Sequence, residues 1–557
     1  MRTSSRALLL GGVALLCIAL LWVGPLVPLA TQRWVRAAGI ALDGVVLLWI
    51  LFALQWVRSG WTQASRWRGS WRAWLTGGAW AALVAFETAR MASVLATNEV
   101  LPLYDLGLLS RHLFILVRDL YGSWARAGFA MALAAPVLLW VVGALGLGRV
   151  EAAGRAVGPR VSRGVVGGLT VAALLLALLP NSRWVTPGLT SNVAESAALA
   201  LAVRRGIQTQ PHRDLVGRDL KRTPDVHVYI VESYGDVVDS DPLLRAEWVP
   251  AIDAMEERLT ALGWHAASGR SVAPVHGGRS WIADASMLTG LHVARQATYE
   301  HIVSLADTLD HFPALFREHG YRTVLVRPKD RARPGVELIN HFRFEDTVFF
   351  EDLGYTGPVV GWGHIPDQYT IDFVHRVLLD PSIEPTFAFF HLATAHMPWR
   401  PAPPILADHI QWQSRRGRTQ PIFVERSLES ELGMRLSRFK RRRRPKSPSG
   451  DVAEMRQLYL DNIMYDLAAV ERVLEGGPEG DQIVLILGDH QPPMIAIGTG
   501  REVPVHVLAS DPALLEGFLE AGFTDRLRPR GGDTAAVPHH EVLAVTLRSL
   551  HQATQNW

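Results

Sequence analysis

The chain has 557 residues, too many for a single hydrophobic core, so at least two folded units are expected. Charged residues make up 20% of the chain and the formal net charge is only +3, which gives no case for a nucleic-acid partner. The one cysteine, Cys17, lies in an apolar run. This excludes intramolecular disulfides, cysteine metal clusters and a cysteine-derived sulfatase nucleophile outside the membrane.

Residues 1–180 hold most of the apolar surplus and predict a bundle of five transmembrane helices. Arginines cluster before the first span and in the second and fourth connections, which places the N-terminus inside. An odd number of spans then places the rest of the chain outside. The sequence therefore predicts a multi-pass protein of a bacterial inner membrane with a periplasmic or extracytoplasmic domain. The predicted spans are 7–30, 39–57, 75–95, 127–147 and 165–179.

Two features of this first part have open interpretations. Glu87 and Arg90 fall three residues apart in the third span, on one face of a helix. They form either a structural ion pair or a contact to a lipid head group. Residues 181–224 read as a linker, in which Asn192 and Glu195 can cap a helix that lies on the membrane surface.

Residues 225–557 alternate short apolar strands with amphipathic helices, which predicts a doubly wound, mostly parallel sheet. Residues 402–450 interrupt the pattern as an insertion loop with a basic run at 440–444, either solvated or in contact with anionic lipid. The predicted strands are 226–231, 323–326, 387–390, 483–487 and 503–508. The predicted helices are 250–262, 305–318, 366–379, 454–474, 513–521 and 541–550.

Side chains that can bind a metal follow two of these strands. Glu232 ends the first strand, and Asp489 and His490 follow the strand at 483–487. The carboxyl ends of parallel strands meet at one edge, so these groups are expected to converge. Ser280 follows Gly277 and Gly278 on a turn that opens a helix, where backbone amides can hold an anion. The pattern indicates a serine that a metal activates to attack a phosphate ester.

Four segments then carry a resemblance to a known family: VESYG at 231–235, GGRSW at 277–281, HLATAHMPW at 391–399 and GDHQP at 488–492. They resemble the sulfatase-like branch of the alkaline phosphatase superfamily. With five spans ahead of the outer domain, the chain is most similar to lipoteichoic acid synthase and to transferases of phosphoglycerol and phosphoethanolamine. The resemblance implies an alkaline-phosphatase-like fold for residues 225–557 and a substrate phosphate bound by His396.

The resemblance also implies one divalent metal ion and a set of ligands for it. Carboxylate, imidazole and hydroxyl ligands favour Mn²⁺, with Zn²⁺ or Mg²⁺ as alternatives. Ser280, the nucleophile, stands where these transferases usually have threonine, and either hydroxyl can coordinate and attack. The implied ligands are Glu232, Ser280, Asp489 and His490.

Other substrate contacts stay open at this stage. The family's Trp-x-Arg contact has no clean match, and Arg327, Arg331 and Arg333 all lie in the right region. Arg279 either holds a phosphate oxygen or pairs with an acid. His391 orients His396, contacts the leaving group, or is a hydrogen-bonded core histidine.

The predicted function is transfer of a phospholipid head group, phosphoglycerol or phosphoethanolamine, through a covalent phospho-serine to a glycan or lipid of the cell envelope. A phosphodiesterase, a sulfuric ester hydrolase and a non-catalytic scaffold are the alternatives. Ser280 is followed by Trp281 and Ile282 rather than by x-Pro-x-Arg, so the maturation signal of formylglycine sulfatases is absent. Ser286 is a capping or packing residue or a reserve nucleophile, and His506 is a core residue or a second-metal ligand.

Overall fold

The structure is a computed structural model, and it describes most of the chain from residue 222 onward. In the first 221 residues it describes 40–41, 101–109, 185–186, 189–204, residue 220 and scattered positions between 74 and 141. Beyond these it describes 222–332, 338–362, 364–379, 384–407, 410–414, 448–496, 499–529 and 536–555.

The chain divides into two compact units with a boundary near residue 201. In the first unit, strand β1 (Ile40–Ala41) pairs in parallel with β2 (Val185–Thr186), and helix α1 spans Leu189–Arg204. Within the described residues, no helix combines the length and the apolar character that a membrane span requires. The predicted spans fall largely outside the described residues, as do Glu87, Arg90 and the basic run at 440–444.

The second unit is built on an eight-stranded sheet with the strand order β10-β4-β9-β8-β3-β7-β5-β6. Neighbouring strands are parallel except where β9 pairs with β4 and β8, so the prediction of a mostly parallel sheet is confirmed. The strands are β3 (Asp225–Val231), β4 (His265–Val272), β5 (Arg322–Arg327), β6 (Asp346–Phe349), β7 (Thr386–His391), β8 (Gln482–Gly488), β9 (Glu502–Ala509) and β10 (Ala536–Pro538).

Successive side chains of a strand point to opposite faces of the sheet. Both faces of this sheet are apolar, and helices cover both. In β3, Val228 and Ile230 pack into one hydrophobic core and Tyr229 and Val231 into the other. The helices are α2 (Val237–Ser240), α3 (Pro242–Ala261), α4 (Ser280–Thr289), α5 (Gln296–Leu305), α6 (Phe312–Glu318), α7 (Asp367–Val377), α8 (Ile410–Ser414), α9 (Pro448–Leu474), α10 (Glu516–Glu520) and α11 (Val542–Gln555).

Several helix boundaries differ from the sequence prediction for reasons that the structure shows. The predicted helix 250–262 begins earlier, at Pro242, where the Asp241 side chain caps it by accepting a hydrogen bond from the Leu243 amide. The predicted helix 305–318 is wrong: α5 ends at Leu305, and α6 begins only after His311, whose ring accepts a hydrogen bond from the Ala314 amide. Pro366, expected as the first helical residue, is instead the N-cap of α7, with an extended ψ of 135°. The five predicted strands are all present, each extended by one or two residues.

The register of the central strands sets the position of the polar residues at their ends. Ile230 of β3 lies opposite His391 of β7, and Val231 lies opposite Gly488 of β8. Glu232 and Asp489 therefore leave adjacent strands at the same level. Gly488 is required here, because a Cβ atom would lie 1.8 Å from the Tyr234 carbonyl oxygen. The chain after β3 thus crosses directly over the end of β8.

His227 lies in β3 and makes the stability of the second unit sensitive to acid. Its side chain is 6% exposed, its Nε2 has no hydrogen-bond partner among the residues that the structure describes, and its ring meets that of His375 edge-on at 5.3 Å. Burial, reinforced by the neighbouring His375, lowers the pKa of His227 from 6.5 to about 3. The unfolded chain therefore binds more protons than the folded one between these two values, and stability falls as the pH drops through that window.

We expect the His227→Phe variant to lose less stability in acid than the wild type. Each pH unit below 6.5 costs the wild type up to about 1.4 kcal/mol through this residue. Between pH 6.5 and 4.5 the difference between the two proteins should reach about 2–3 kcal/mol. Thermal and urea unfolding of the full chain at both pH values measures it, with the exposed His265→Phe as the control. Equal acid sensitivity of the wild type and His227→Phe would contradict this account.

Candidate active site

The turn before Ser280 is shaped by three consecutive residues with positive φ. Gly277 has φ 89°, Gly278 has φ 69° and Arg279 has φ 64°. Glycine adopts this conformation without steric cost, whereas arginine does so under strain, which is commonly retained at functional sites. The Arg279 carbonyl then accepts the first hydrogen bond of α4, from the Ile282 amide at 2.8 Å. Ser280 is thereby the first residue of the helix, at its positive end.

Four of the predicted site residues come together at the ends of β3 and β8. Ser280 Oγ lies 3.1 Å from Glu232 Oε2, 3.3 Å from Glu232 Oε1 and 3.4 Å from His490 Nε2. His490 Nε2 lies 3.4 Å from Glu232 Oε1 and 3.3 Å from Asp489 Oδ2. All four side chains are buried. The structure thus juxtaposes the residues that the sequence selected as metal ligands.

The donor set fits a divalent cation. Ligands about 2.1 Å from a tetrahedral metal lie roughly 3.4 Å from one another, close to the distances between these side chains. Asp489 is 0% exposed, and no described residue donates a hydrogen bond to its Oδ2, which leaves a buried acceptor that a cation would satisfy. His490 Nδ1 donates to the Gln491 carbonyl at 3.0 Å, so Nε2 presents its lone pair to the site.

His391 approaches the same carboxylates from the end of β7. Glu232, His391 and Asp489 each offer a ligand atom within 4.8 Å of the others. His391 Nδ1 is 2.8 Å from Asp284 Oδ2, and its Nε2 is 3.4 Å from Glu232 Oε2. Burial lowers the pKa of His391, but the Asp284 carboxylate more than offsets this and raises it to about 9. The His391 ring thus lies between the Asp284 and Glu232 carboxylates.

Arg327, one of the predicted substrate arginines, forms a salt bridge with Asp284. Arg327 also approaches Asp330, at 3.3 Å, and the charge of Asp284 raises the pKa of Arg327 despite burial. Its guanidinium thus supports the carboxylate that orients His391. Asp284 itself was missed from the sequence, although it lies one helical turn after Ser280 and faces the same side of α4.

Lys329 is a second residue that the sequence analysis missed. Its Nζ donates to Glu232 Oε2 at 2.7 Å, and its side chain is 15% exposed. Burial lowers the pKa of this ammonium group, but the nearby carboxylates, with Glu232 foremost, together have the larger effect. The pKa of Lys329 therefore lies above its ordinary value. The only signal in the sequence was its place two residues after the end of β5. Lys329 brings a fixed positive charge to the edge that holds Glu232 and Asp489.

His396 lies on the turn after β7, beside this cluster. Its ring stacks on Trp362 at 4.8 Å and 15°, and its Nδ1 donates to the Met397 carbonyl at 2.5 Å. Burial lowers the pKa of His396 to about 4, although the charge of Glu232 acts in the opposite sense. The ring is therefore neutral at pH 7, with the Nε2 lone pair available to accept a proton.

The remaining candidates occupy distinct positions. Arg279 is buried next to Ser280. Arg331 lies 2.6 Å from His364 Nδ1 and 3.9 Å from the centroid of the Phe350 ring. Ser286 Oγ donates to the Leu291 carbonyl at 2.7 Å, which ties it to the turn after α4. His506 is buried between the Leu527 carbonyl and the Tyr234 hydroxyl, the position of a core histidine.

Comparison with known proteins bears on the same region. The family model described as Sulfatase matches residues 283–518. No curated protein matches the chain.

Several solved structures resemble this one at low sequence identity. The integral membrane lipooligosaccharide phosphoethanolamine transferase A (EptA) of Neisseria meningitidis is 10% identical, over 93% of this chain and 89% of that one, with a TM-score of 0.46. The lipoteichoic acid synthase LtaP of Listeria monocytogenes is 13% identical, over 55% and 71%, with a TM-score of 0.34. The phosphoglycerol transferase GacH of Streptococcus pyogenes is 12% identical, over 64% and 91%, with a TM-score of 0.33.

The family match spans two of the four segments that carry the resemblance, those that contain His396 and the Asp489-His490 pair. It confirms the resemblance to the sulfatase-like family over residues 283–518.

Proposed function

We propose that this protein transfers a phospholipid head group, phosphoglycerol or phosphoethanolamine, through a covalent phospho-Ser280 to a glycan or lipid acceptor. The observation that carries the proposal is the position of Ser280 Oγ. It lies at the N-terminus of α4, 3.1 Å from Glu232 Oε2 and 3.4 Å from His490 Nε2. A hydroxyl so placed can share a metal with both side chains and attack a phosphorus atom.

The four residues proposed to hold the divalent cation are Glu232, Ser280, Asp489 and His490. When bound, the cation supplies Lewis acidity that favours the ionised hydroxyl and offsets charge on the phosphoryl oxygens. Mn²⁺ and Zn²⁺ both suit this mixture of oxygen and nitrogen ligands. His391, held by Asp284, faces Glu232 from the opposite side and keeps that carboxylate in place.

In the first step Ser280 Oγ gives up its proton and forms a bond to phosphorus, while the bond to the diacylglycerol oxygen breaks and that oxygen takes up a proton. Lys329, Arg279 and the amides at the start of α4 are proposed to stabilise the negative charge that builds up on the phosphoryl oxygens. In the second step an acceptor hydroxyl attacks the same phosphorus and releases Ser280. His396 can take the proton of that hydroxyl at Nε2, because its Nδ1 is already committed to Met397.

The location of the reaction follows from the proposed topology. Residues 1–180 are proposed to form five transmembrane helices, 181–224 a linker with a helix at the membrane surface, and 225–557 the catalytic domain outside the cytoplasm. The five long apolar stretches and the distribution of arginines support this arrangement. Such an anchor would keep the site next to its phospholipid donor.

The test is an intact-mass spectrum of the metal-loaded full-length protein after incubation with mixed phospholipids. We expect the wild type to gain the mass of one head-group phosphate and Ser280→Ala to gain none. The mass identifies glycerol phosphate, ethanolamine phosphate or bare phosphate. Ser286→Ala is the matched control, since Ser286 lies on the same helix but is tied to Leu291, and it should form the adduct normally.

Two other outcomes would point to different enzymes. An adduct that forms and decays only to the hydrolysed head group, with no acceptor modified, would indicate a phosphodiesterase with water as acceptor. Absence of an adduct with every metal, together with hydrolysis of sulfate esters, would overturn the transferase proposal. The sequence after Ser280 lacks the formylglycine maturation signal, which counts against that second outcome.

A further inference from the structure

Two buried carboxyl groups, Asp367 and Asp466, lie behind the turn that carries His396. Asp367 is the first residue of α7, Asp466 lies in α9, and both side chains are 0% exposed. The neighbouring residues are in contact, since the Gln368 amide donates to the Tyr465 hydroxyl at 3.3 Å. Burial raises the pKa of Asp466, and the negative charges of Asp367 and Glu232 raise it further.

Asp367 holds the turn through its backbone amides. Its Oδ2 accepts hydrogen bonds from the Ala393 amide at 2.8 Å and the Thr394 amide at 2.5 Å. The Asp367 amide in turn donates to Thr394 Oγ1 at 3.2 Å. Two consecutive peptide groups are therefore held by the Asp367 carboxylate just before His396.

One proton completes this arrangement. Oδ1 of Asp367 and both oxygens of Asp466 have no N–H or hydroxyl donor at full hydrogen-bond geometry within the described residues. Burial and the negative charge of Asp367 raise the pKa of Asp466 well above its ordinary value. A carboxylic acid at Asp466 can donate to Asp367, which forms a strong O–H···O⁻ bond and avoids two buried charges. Tyr465 and Glu232 are the other titratable groups that face the pair.

We propose that Asp367 and Asp466 share one proton and, as positioning residues, fix the 393–396 turn so that the His396 ring faces the reacting phosphoryl group. The His396 amide donates to the Ala393 carbonyl at 3.1 Å, so the clamped turn connects directly to the residue that it positions. The inference rests on the proposed function in one respect, which is that His396 takes the proton of the acceptor hydroxyl as it attacks the phosphorus. Neither carboxyl group touches the substrate.

The shared proton can be tested without any activity measurement. Infrared spectra of the full-length protein at neutral pH should contain the band of a buried protonated carboxyl group. We expect this band to disappear in Asp466→Asn and to persist in Ser280→Ala, which leaves the pair intact. Identical spectra for the wild type and Asp466→Asn would show that Asp466 is ionised, and would overturn the proposal.

The positioning role is tested by rescue and by coupling to His396. Asp466→Asn keeps a donor toward Asp367, so kcat for head-group transfer should stay within about threefold of the wild type. Asp466→Leu keeps the branched outline of the side chain but removes the donor, and kcat should fall about 10- to 100-fold. In the His396→Ala background the same leucine substitution should cost less than about twofold, because the positioned residue is already gone.

An equal loss from Asp466→Leu in both backgrounds would show a general structural role and overturn the positioning proposal. Should the leucine variant fail to fold, Asp466→Ser replaces it, since its hydroxyl is too short to reach Asp367, and the same loss is expected. A wild type that shows no transfer at all would contradict the proposed function, whereas the infrared band would still decide whether the carboxyl groups share a proton.

Discussion

Replacing Asp489 by asparagine is expected to remove the metal and to lower head-group transfer by roughly 1,000-fold or more. Asp489 Oδ1 accepts a hydrogen bond from the Ser233 amide at 2.8 Å, which asparagine Oδ1 can retain. The other side-chain atom changes from a charged oxygen to an NH₂ group, and its hydrogens would point at the cation. The fold should therefore survive while the ligand is lost.

Metal content and activity of the same preparations separate the possible outcomes. The metal-to-protein ratio of the purified full-length Asp489→Asn protein should fall far below that of the wild type. Asp461→Asn, a control in α9 that is hydrogen-bonded to Gln457, should leave both quantities unchanged. If Asp489→Asn kept its full metal content, Asp489 would not be a ligand, and the proposed site would have to move toward the Glu232 and His391 side.

Replacing Lys329 by methionine is expected to change metal affinity and transfer in opposite directions. The ammonium group lies 2.7 Å from Glu232 Oε2 and competes with a cation for the same carboxylate. Its removal should tighten metal binding by about tenfold, since a positive charge near the site opposes a second one. Transfer should fall about 100- to 1,000-fold, because the phosphoryl oxygens lose a positive neighbour in a site with little water.

Lys329→Arg is the matched variant, because it keeps the charge with a longer and broader head group. It should leave metal affinity near the wild-type value and lose less activity than the methionine variant. Metal titration and steady-state kinetics on the three proteins decide the matter. Weaker metal binding in Lys329→Met, together with lost transfer, would mean that the lysine mainly holds Glu232 in place and does not act on the substrate.

Much of the central sheet could be predicted because its strands are continuous apolar runs. Both faces of β3, β7 and β8 are covered by helices, and strands buried on both sides are hydrophobic throughout. The residues that follow such a strand are then visible as polar exceptions, which is how Glu232, Asp489 and His490 were found.

The outer strands were missed for a physical reason. β4, with the sequence HAASGRSV, is poor in large apolar side chains and is held by its antiparallel pairing with β9. Gly269 in its middle leaves room for the Phe523 ring, which a Cβ atom would meet at 2.7 Å. Its strand conformation depends on these neighbours and has little local signal.

Site residues that are recognised only by their contacts to other side chains were equally hard to predict from the sequence. Lys329 and Asp284 follow no strand directly, and their roles appear only when Glu232 and His391 are in place beside them. His391 was assigned three possible roles from the sequence. Its buried ring and its hydrogen bond to Asp284 favour the third of these roles, a hydrogen-bonded histidine, which here lies beside the carboxylates. Long-range pairing, which no local pattern records, supplies this information.

The proposed metal site is assembled from segments that leave the ribosome far apart in time. Ser280 and His490 are 210 residues apart in the chain, and Ser233 and Asp489 are 256 apart. β8 must insert beside β3 before the second carboxylate reaches the first. An unfinished chain therefore holds Glu232 and Ser280 but lacks Asp489 and His490, so loading of the proposed site would come late in biogenesis. In an exported protein this order would select the metal that is available outside the cytoplasm.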